Sequence, residues 1–190
     1  MKLINKILTI LVLTGGMTAC VDQLDVQNPN NQTTYDFGKT ESDLQEAVIS
    51  CYNRIRLEGT FARVGYTLDA VRGDEVWNSS QQWYLEYDNL NSPGTIGIGD
   101  EWPWRDNYHV VNRTNFVLSK VDGVKMSETS YNEIAGQALF LRSLAYYHLA
   151  TYYQNVPLIT DYASYSDINT MYAANATQDQ VFDQIETDLK

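Results

Sequence analysis

The chain has 190 residues, 44% of them hydrophobic, and sets 13 Lys and Arg against 24 Asp and Glu for a formal charge of −11. That length supports one domain with a sizeable core. The acidic balance repels nucleic acid and phosphate-rich surfaces, which excludes both as partners and suits neutral ligands.

Residues 1–19 have the three parts of a secretory signal. Lys2 and Lys6 form a positive start, Ile7 through Leu13 an apolar run broken only by Thr9, and Gly15, Gly16, Thr18 and Ala19 the small residues before a cut. The apolar run is too short to span a bilayer, which takes ~20 apolar residues. Ala19-Cys20 resembles the lipobox of bacterial lipoproteins, with Met17 where Leu is more usual. Cys20 is therefore expected to carry lipid and to begin the mature protein; the alternative is an ordinary secretory signal with an incidental cysteine. At ~0.8 kcal/mol per buried CH₂, more than one acyl chain gives stable anchoring. Loss of Lys2 and Lys6 with the leader takes the charge from −11 to −13. Asp22 does not by itself decide which membrane holds the anchor. Residues 20–39 are polar around Asn28-Pro29-Asn30-Asn31 and read as a lipidated tether or as a strap across the domain.

The remaining residues, 40–190, read as helices. The first runs from Thr40 to Leu57, with Thr40 as N-cap, Glu41 and Asp43 in the first turn, and Leu44, Ala47, Val48, Cys51 and Ile55 on one face. A second covers Phe61 to Val76, with Leu68 and Val71 inward. Trp77 to Asp100 has no period and reads as one long loop, a length that is uncommon unless functional or disordered. Pro103, suited to a first helical position, opens a third helix to Val121. Tyr131 to Gln154 is the fourth, where Ala135, Ala138, Ala145 and Ala150 allow a neighbour close. Thr177 and Gln180 form a capping-box pattern for a fifth, whose inward face is Val181, Ile185 and Leu189. That helix has no closing Gly, Asn or Pro before Lys190, so the sequence is expected to be the N-terminal part of something longer. The third and fourth helices make an αα-hairpin, and the fold class is all-α, built of stacked helix pairs.

Four stretches taken in order resemble the SusD/RagB family of nutrient-binding outer-membrane lipoproteins of Bacteroidetes. They are Leu24-Asp25-Val26-Gln27-Asn28-Pro29-Asn30; Trp104 to Leu118, with Asn115-Phe116-Val117-Leu118; Phe140-Leu141-Arg142-Ser143-Leu144-Ala145-Tyr146-Tyr147 running on to Tyr152-Tyr153-Gln154-Asn155-Val156-Pro157-Leu158-Ile159; and Thr177 to Leu189. The family often has glycine before the Val-Pro-Leu segment, where this chain has Gln154-Asn155. The resemblance implies a tetratricopeptide-like SusD scaffold, truncated before its C-terminal part. It implies exposure at the outer membrane and delivery of an oligosaccharide or peptide ligand to a SusC-like TonB-dependent transporter. It implies no enzyme and no cofactor. The competing readings are a lipid-anchored hydrolase with catalytic residues in the missing C-terminal part, and a helical scaffold for envelope proteins.

Sugars present C–H faces to aromatic rings and hydroxyls to polar side chains. Trp77, Asn78 and Trp83 are therefore the candidate ligand-binding residues, against the alternative that both tryptophans merely pack the loop onto the helices. Arg142 is expected to pair with an acid on an adjacent helix, and Asn115 to bond backbone between helices. Asp69, Asp74 and Glu75 read as solvated helix-end acids rather than a hydrolytic pair. Cys51 reads as a small core hydrophobe. His109 and His148 stand on separate helices, with no spacing for a metal.

Overall fold

Thr40 starts the first helix as its side chain dictates. Its hydroxyl accepts from the Asp43 N–H, and the Asp43 carboxylate accepts in return from the Thr40 N–H at 3.0 Å. This capping box opens α1, Glu41–Ile55. The structure, a computed structural model, describes residues 36–77, 82–89, 98–162 and 172–190. Phe37–Lys190 pack as one unit. Cys20, residues 20–35 of the tether and Asn78 lie outside the described residues.

A π-helical segment, Glu58–Ala62, follows α1 and leads into α2, Val64–Val71. Then come α3, Gln82–Asp88; α4, Ile98–Val121; and α5, Glu128–Tyr153. A two-residue strand β1, Val156–Pro157, pairs antiparallel with β2, Asn175–Ala176, in the register Val156 to Ala176. The last element is α6, Gln178–Asp188, opened by the Thr177–Gln180 capping box. The stacked-helix class is as the periodicity predicts. Among the described residues no helix is long and apolar enough to cross a membrane.

The hairpin α4–α5 is the centre of the unit, with α1 packed against both of its helices and α6 against α5. Its core takes Leu44, Val48 and Cys51 from α1, and Val110, Val111 and Val117 from α4. Leu141, Tyr146 and Leu149 come from α5, Val181 and Ile185 from α6. Ala138 and Ala145 are buried in α5, small enough for helices to approach closely. Cys51 is wholly buried, and burial pushes its thiol up to about 12, so it acts as the apolar filler that its position predicts.

The structure corrects several boundaries. The second helix is broken by the π-helical segment and ends at Val71, short of Val76. Residues 77–100 are not one loop, since α3 forms inside them and α4 begins at Ile98 rather than at Pro103. The turn ahead of Pro103 is held by tertiary bonds: Tyr87 donates to the Asp100 carboxylate, and Tyr153 donates to the Asp100 carbonyl. Tyr153 thus supplies a donor in the turn where Pro103 has no N–H to give. The fourth helix starts at Glu128 because Ser127 caps it through the Ser130 N–H, ahead of any apolar residue. On α6, Leu189 is exposed and Asp188 takes the third buried place, because 181, 185 and 188 share a helical stripe.

Gln154, which caps α5, has φ +63° and ψ −85°, a region that an L side chain rarely adopts. The bend delivers Val156 to the sheet and lets Asn155 accept from the Gln178 N–H at 3.1 Å. Relief of such strain is worth ~1–3 kcal/mol, and glycine's greater chain entropy costs roughly 0.5–1 kcal/mol. Gln154→Gly is therefore expected to stabilise the protein by about 1 kcal/mol, seen as a higher urea midpoint at unchanged slope.

Candidate functional site

Beside the main core stands a satellite cluster of Val64, Leu68, Val71 and Tyr87, with Trp102 packed against it. It fixes α2 and α3 to the first turns of α4. Tyr87 is its pivot. The ring is 3% exposed, its hydroxyl donates to Asp100 at 2.5 Å, and the Arg72 guanidinium lies 5.4 Å from its centre. A Cβ at Gly99 would fall 2.4 Å from the Tyr87 ring, so only glycine lets α4 start this close to α3.

Tyr152 and Tyr153, at the end of α5, tie this cluster to the hairpin. Tyr152 donates to the Gly65 carbonyl at 3.1 Å and meets the Asp69 carboxylate at 3.2 Å. Burial first, and neighbouring acid second, raise the phenols of Tyr87, Tyr152 and Tyr153 above their ordinary range. At neutral pH all three stay protonated, so they serve as hydrogen-bond donors.

Trp77 follows α2 by a few residues and is 79% exposed, the highest value among the large hydrophobics of the described residues. It is therefore displayed and does not pack the loop onto the helices. Arg72, Asp74, Glu75 and Val76 are exposed with it. A bare indole beside charged and polar side chains can stack on a sugar's C–H face while its neighbours bond hydroxyls. Trp83 belongs to α3. Asp69 is engaged by Tyr152, and among the described residues no group of three His, Cys, Asp or Glu is placed to hold a metal ion.

Arg142 and Asn115 take the structural roles that the sequence predicts. Arg142 pairs with Asp188 on α6, and Asn115 donates to the Ile159 carbonyl at 2.8 Å while accepting from Arg142 at 2.9 Å. The sequence reading missed Arg63, Trp102 and Arg105. Trp102 has the Arg63 guanidinium at 5.1 Å and that of Arg105 at 5.6 Å. The spacing of Trp102 and Arg105 on one helix was a usable signal; the approach of Arg63 was not.

His148, on α5, lies against Phe61 at 4.8 Å and Tyr152 at 5.9 Å, and its Nδ1 has no hydrogen-bond partner. Burial lowers its pKa, with Asp69 opposing. It is a half-buried packing residue.

Residues 22–190 match the sequence profile of the SusD-like family described as "Starch-binding associating with outer membrane". SusD-like protein P2 of Formosa agariphila is 26% identical over 189 residues, which cover 96% of this chain and 36% of that protein. SusD-like protein P25 of the same organism is 23% identical, covering 81% of this chain and 31% of that one. A solved laminarin-binding SusD-like protein superposes with a TM-score of 0.67 at 27% identity, over 79% of this chain and 33% of the other. A SusD superfamily protein of Bacteroides vulgatus gives 0.70 at 25%, over 80% and 34%. The chain thus spans about a third of the length of the curated relatives it matches.

Proposed function

The chain belongs to the SusD-like family, and from that premise we propose that it serves a surface lipoprotein that binds a glycan and delivers it to a SusC-like TonB-dependent transporter. Its work is capture and hand-over, without chemistry on the ligand. Cys20 would hold it at the outer membrane, with residues 20–39 as the tether that lets it stay beside the barrel. The laminarin-binding neighbour supports a glucan as the ligand class.

The observation that carries this reading is the displayed Trp77 ring, 79% exposed among charged and polar neighbours. An exposed indole is open to stacking on the C–H face of a sugar. Calorimetry on the intact protein with laminarin and starch oligosaccharides tests it. Trp77→Ala is expected to weaken glycan binding about tenfold, the equivalent of ~1.4 kcal/mol of lost stacking. Trp77→Phe should retain part of the affinity. Unchanged affinity in a folded Trp77→Ala protein would remove Trp77 from the site. No binding to any glycan pool by the unaltered protein would sink the reading itself. Delivery is tested separately, by affinity purification from detergent-solubilised membranes: recovery of a TonB-dependent barrel is expected.

A further inference from the structure

In a chain of charge −11, four of its 13 Lys and Arg residues converge on one strip. Arg105, His109 and Arg113 stand at i, i+4 and i+8 on α4, one above another with about 6 Å of rise between them. Arg54, in the last turn of α1, stands four residues beyond Ser50 on the same face, and Ser50 is the residue to which Arg113 donates. One turn before Arg105, the Trp102 ring has both that guanidinium and the one of Arg63 over it, at 5.6 and 5.1 Å. Arg63 and Arg105 are nearly half exposed, at 43% and 46% of their side chains.

Acids stand at the strip as well. Asp106 is 2% exposed and holds the Gly59 N–H at 2.8 Å and Arg105 Nε at 2.9 Å. Glu58 pairs with Arg63 at 3.0 Å, and Glu101 approaches Arg105 at 3.9 Å. Arg113 donates through Nη1 to the Ser50 carbonyl and hydroxyl, which holds it along the α1–α4 seam.

We propose that this strip is a binding site for short oligosaccharides carrying carboxylate or sulfate groups, in addition to the contact at Trp77. The proposal rests on the glycan-binding reading and narrows its ligand class. Guanidinium forks match carboxylate and sulfate in plane, and the Trp102 ring holds the Arg63 and Arg105 guanidiniums in place. Arg105 and Arg113 are eight residues apart on α4, about 12 Å of rise, so they suit charged groups on different sugar residues of one short chain. The overall negative field repels long polyanions, so the strip, with its four guanidiniums set against Glu58, Glu101 and Asp106, favours a short charged sugar over nucleic acid.

The chain's two histidines provide the test. Burial first, and then Arg54, lower the pKa of His109, with Arg105 and Arg113 adding to this and Asp106 opposing it. An anion bound among those guanidiniums must raise it. The experiment is a proton NMR titration of the intact protein with a uronic-acid trisaccharide and with its neutral counterpart, His109 being assigned through His109→Gln. The charged sugar is expected to raise the His109 pKa and leave His148 unmoved, while the neutral sugar moves neither. Arg54→Gln, checked for fold by circular dichroism, should weaken the charged sugar about threefold or more and flatten its salt dependence, with Trp77-dependent binding of neutral glycan unchanged. A silent His109, an equal response to the neutral sugar, or an equal response to an oligoglutamate peptide of the same charge would overturn the proposal. Each of those results leaves the Trp77 reading standing, whereas loss of neutral binding alone strikes only that reading.

Discussion

Asp188→Asn is expected to destabilise the protein by about 3–5 kcal/mol, because it leaves the Arg142 charge buried without its counter-charge. The pair is closed from water, with side-chain exposures of 8% and 2%. Arg142 Nε donates to one carboxylate oxygen at 2.7 Å and Nη2 to the other at 2.6 Å, while Nη1 donates to Asn115 and to the Thr160 carbonyl. Four donated bonds from a planar group fix three things at once: α6 on α5, Asn115 on α4, and the backbone that follows β1. Replacing both partners with apolar residues, as in Arg142→Met with Asp188→Leu, should cost much less than either single change, since no buried charge is stranded. Urea unfolding of the two singles and the double measures this. A cost under ~1 kcal/mol for Asp188→Asn would mean that water reaches the pair.

The same pair shows where the sequence was legible. Arg142, on an apolar helix, demanded an acid, but Asp188 lies 46 residues away and its helix has its own apolar stripe. Which residue on that stripe is charged inward follows only once α6 is laid against α5. Helix starts with a side-chain signal, Thr40 and Thr177, were readable because capping is local. α3 was not: seven residues with Tyr84 and Tyr87 as the inward pair carry too little period, and their helix is held by contacts to α2 and α4. Pro103 pointed to the wrong start because the bonds that extend α4 before it come from Tyr87 and Tyr153, distant in sequence. Composition singled out Trp77, whereas its exposure needed the fold. The Arg105, His109 and Arg113 spacing was on the page in the sequence, yet Arg54 and Arg63 join it only through packing.

Gly59→Ala is the second large effect, expected at about 3 kcal/mol or more, at the upper end of overpacking costs. A Cβ there would fall 2.1 Å from the Trp102 carbonyl oxygen and 2.6 Å from Asp106 Oδ2. The first contact is backbone, so no side-chain rotation relieves it, and the π-helical segment and α4 must separate. Separation breaks the 2.8 Å bond from the Gly59 N–H to Asp106, a buried acid that then keeps only Arg105. Trp102 moves with its own carbonyl, and the stack of Arg63 and Arg105 on its ring moves with it. The loss should therefore be double: a lower urea midpoint, and a weaker response of His109 to charged sugar in the fraction that stays folded. Gly136→Ala on α5 is the control, because a Cβ there meets nothing within 4 Å and should stabilise the helix by roughly 0.5–1 kcal/mol. If the two variants shift the midpoint alike, the close approach of Gly59 to Trp102 is wrong, and with it the anchoring of the strip.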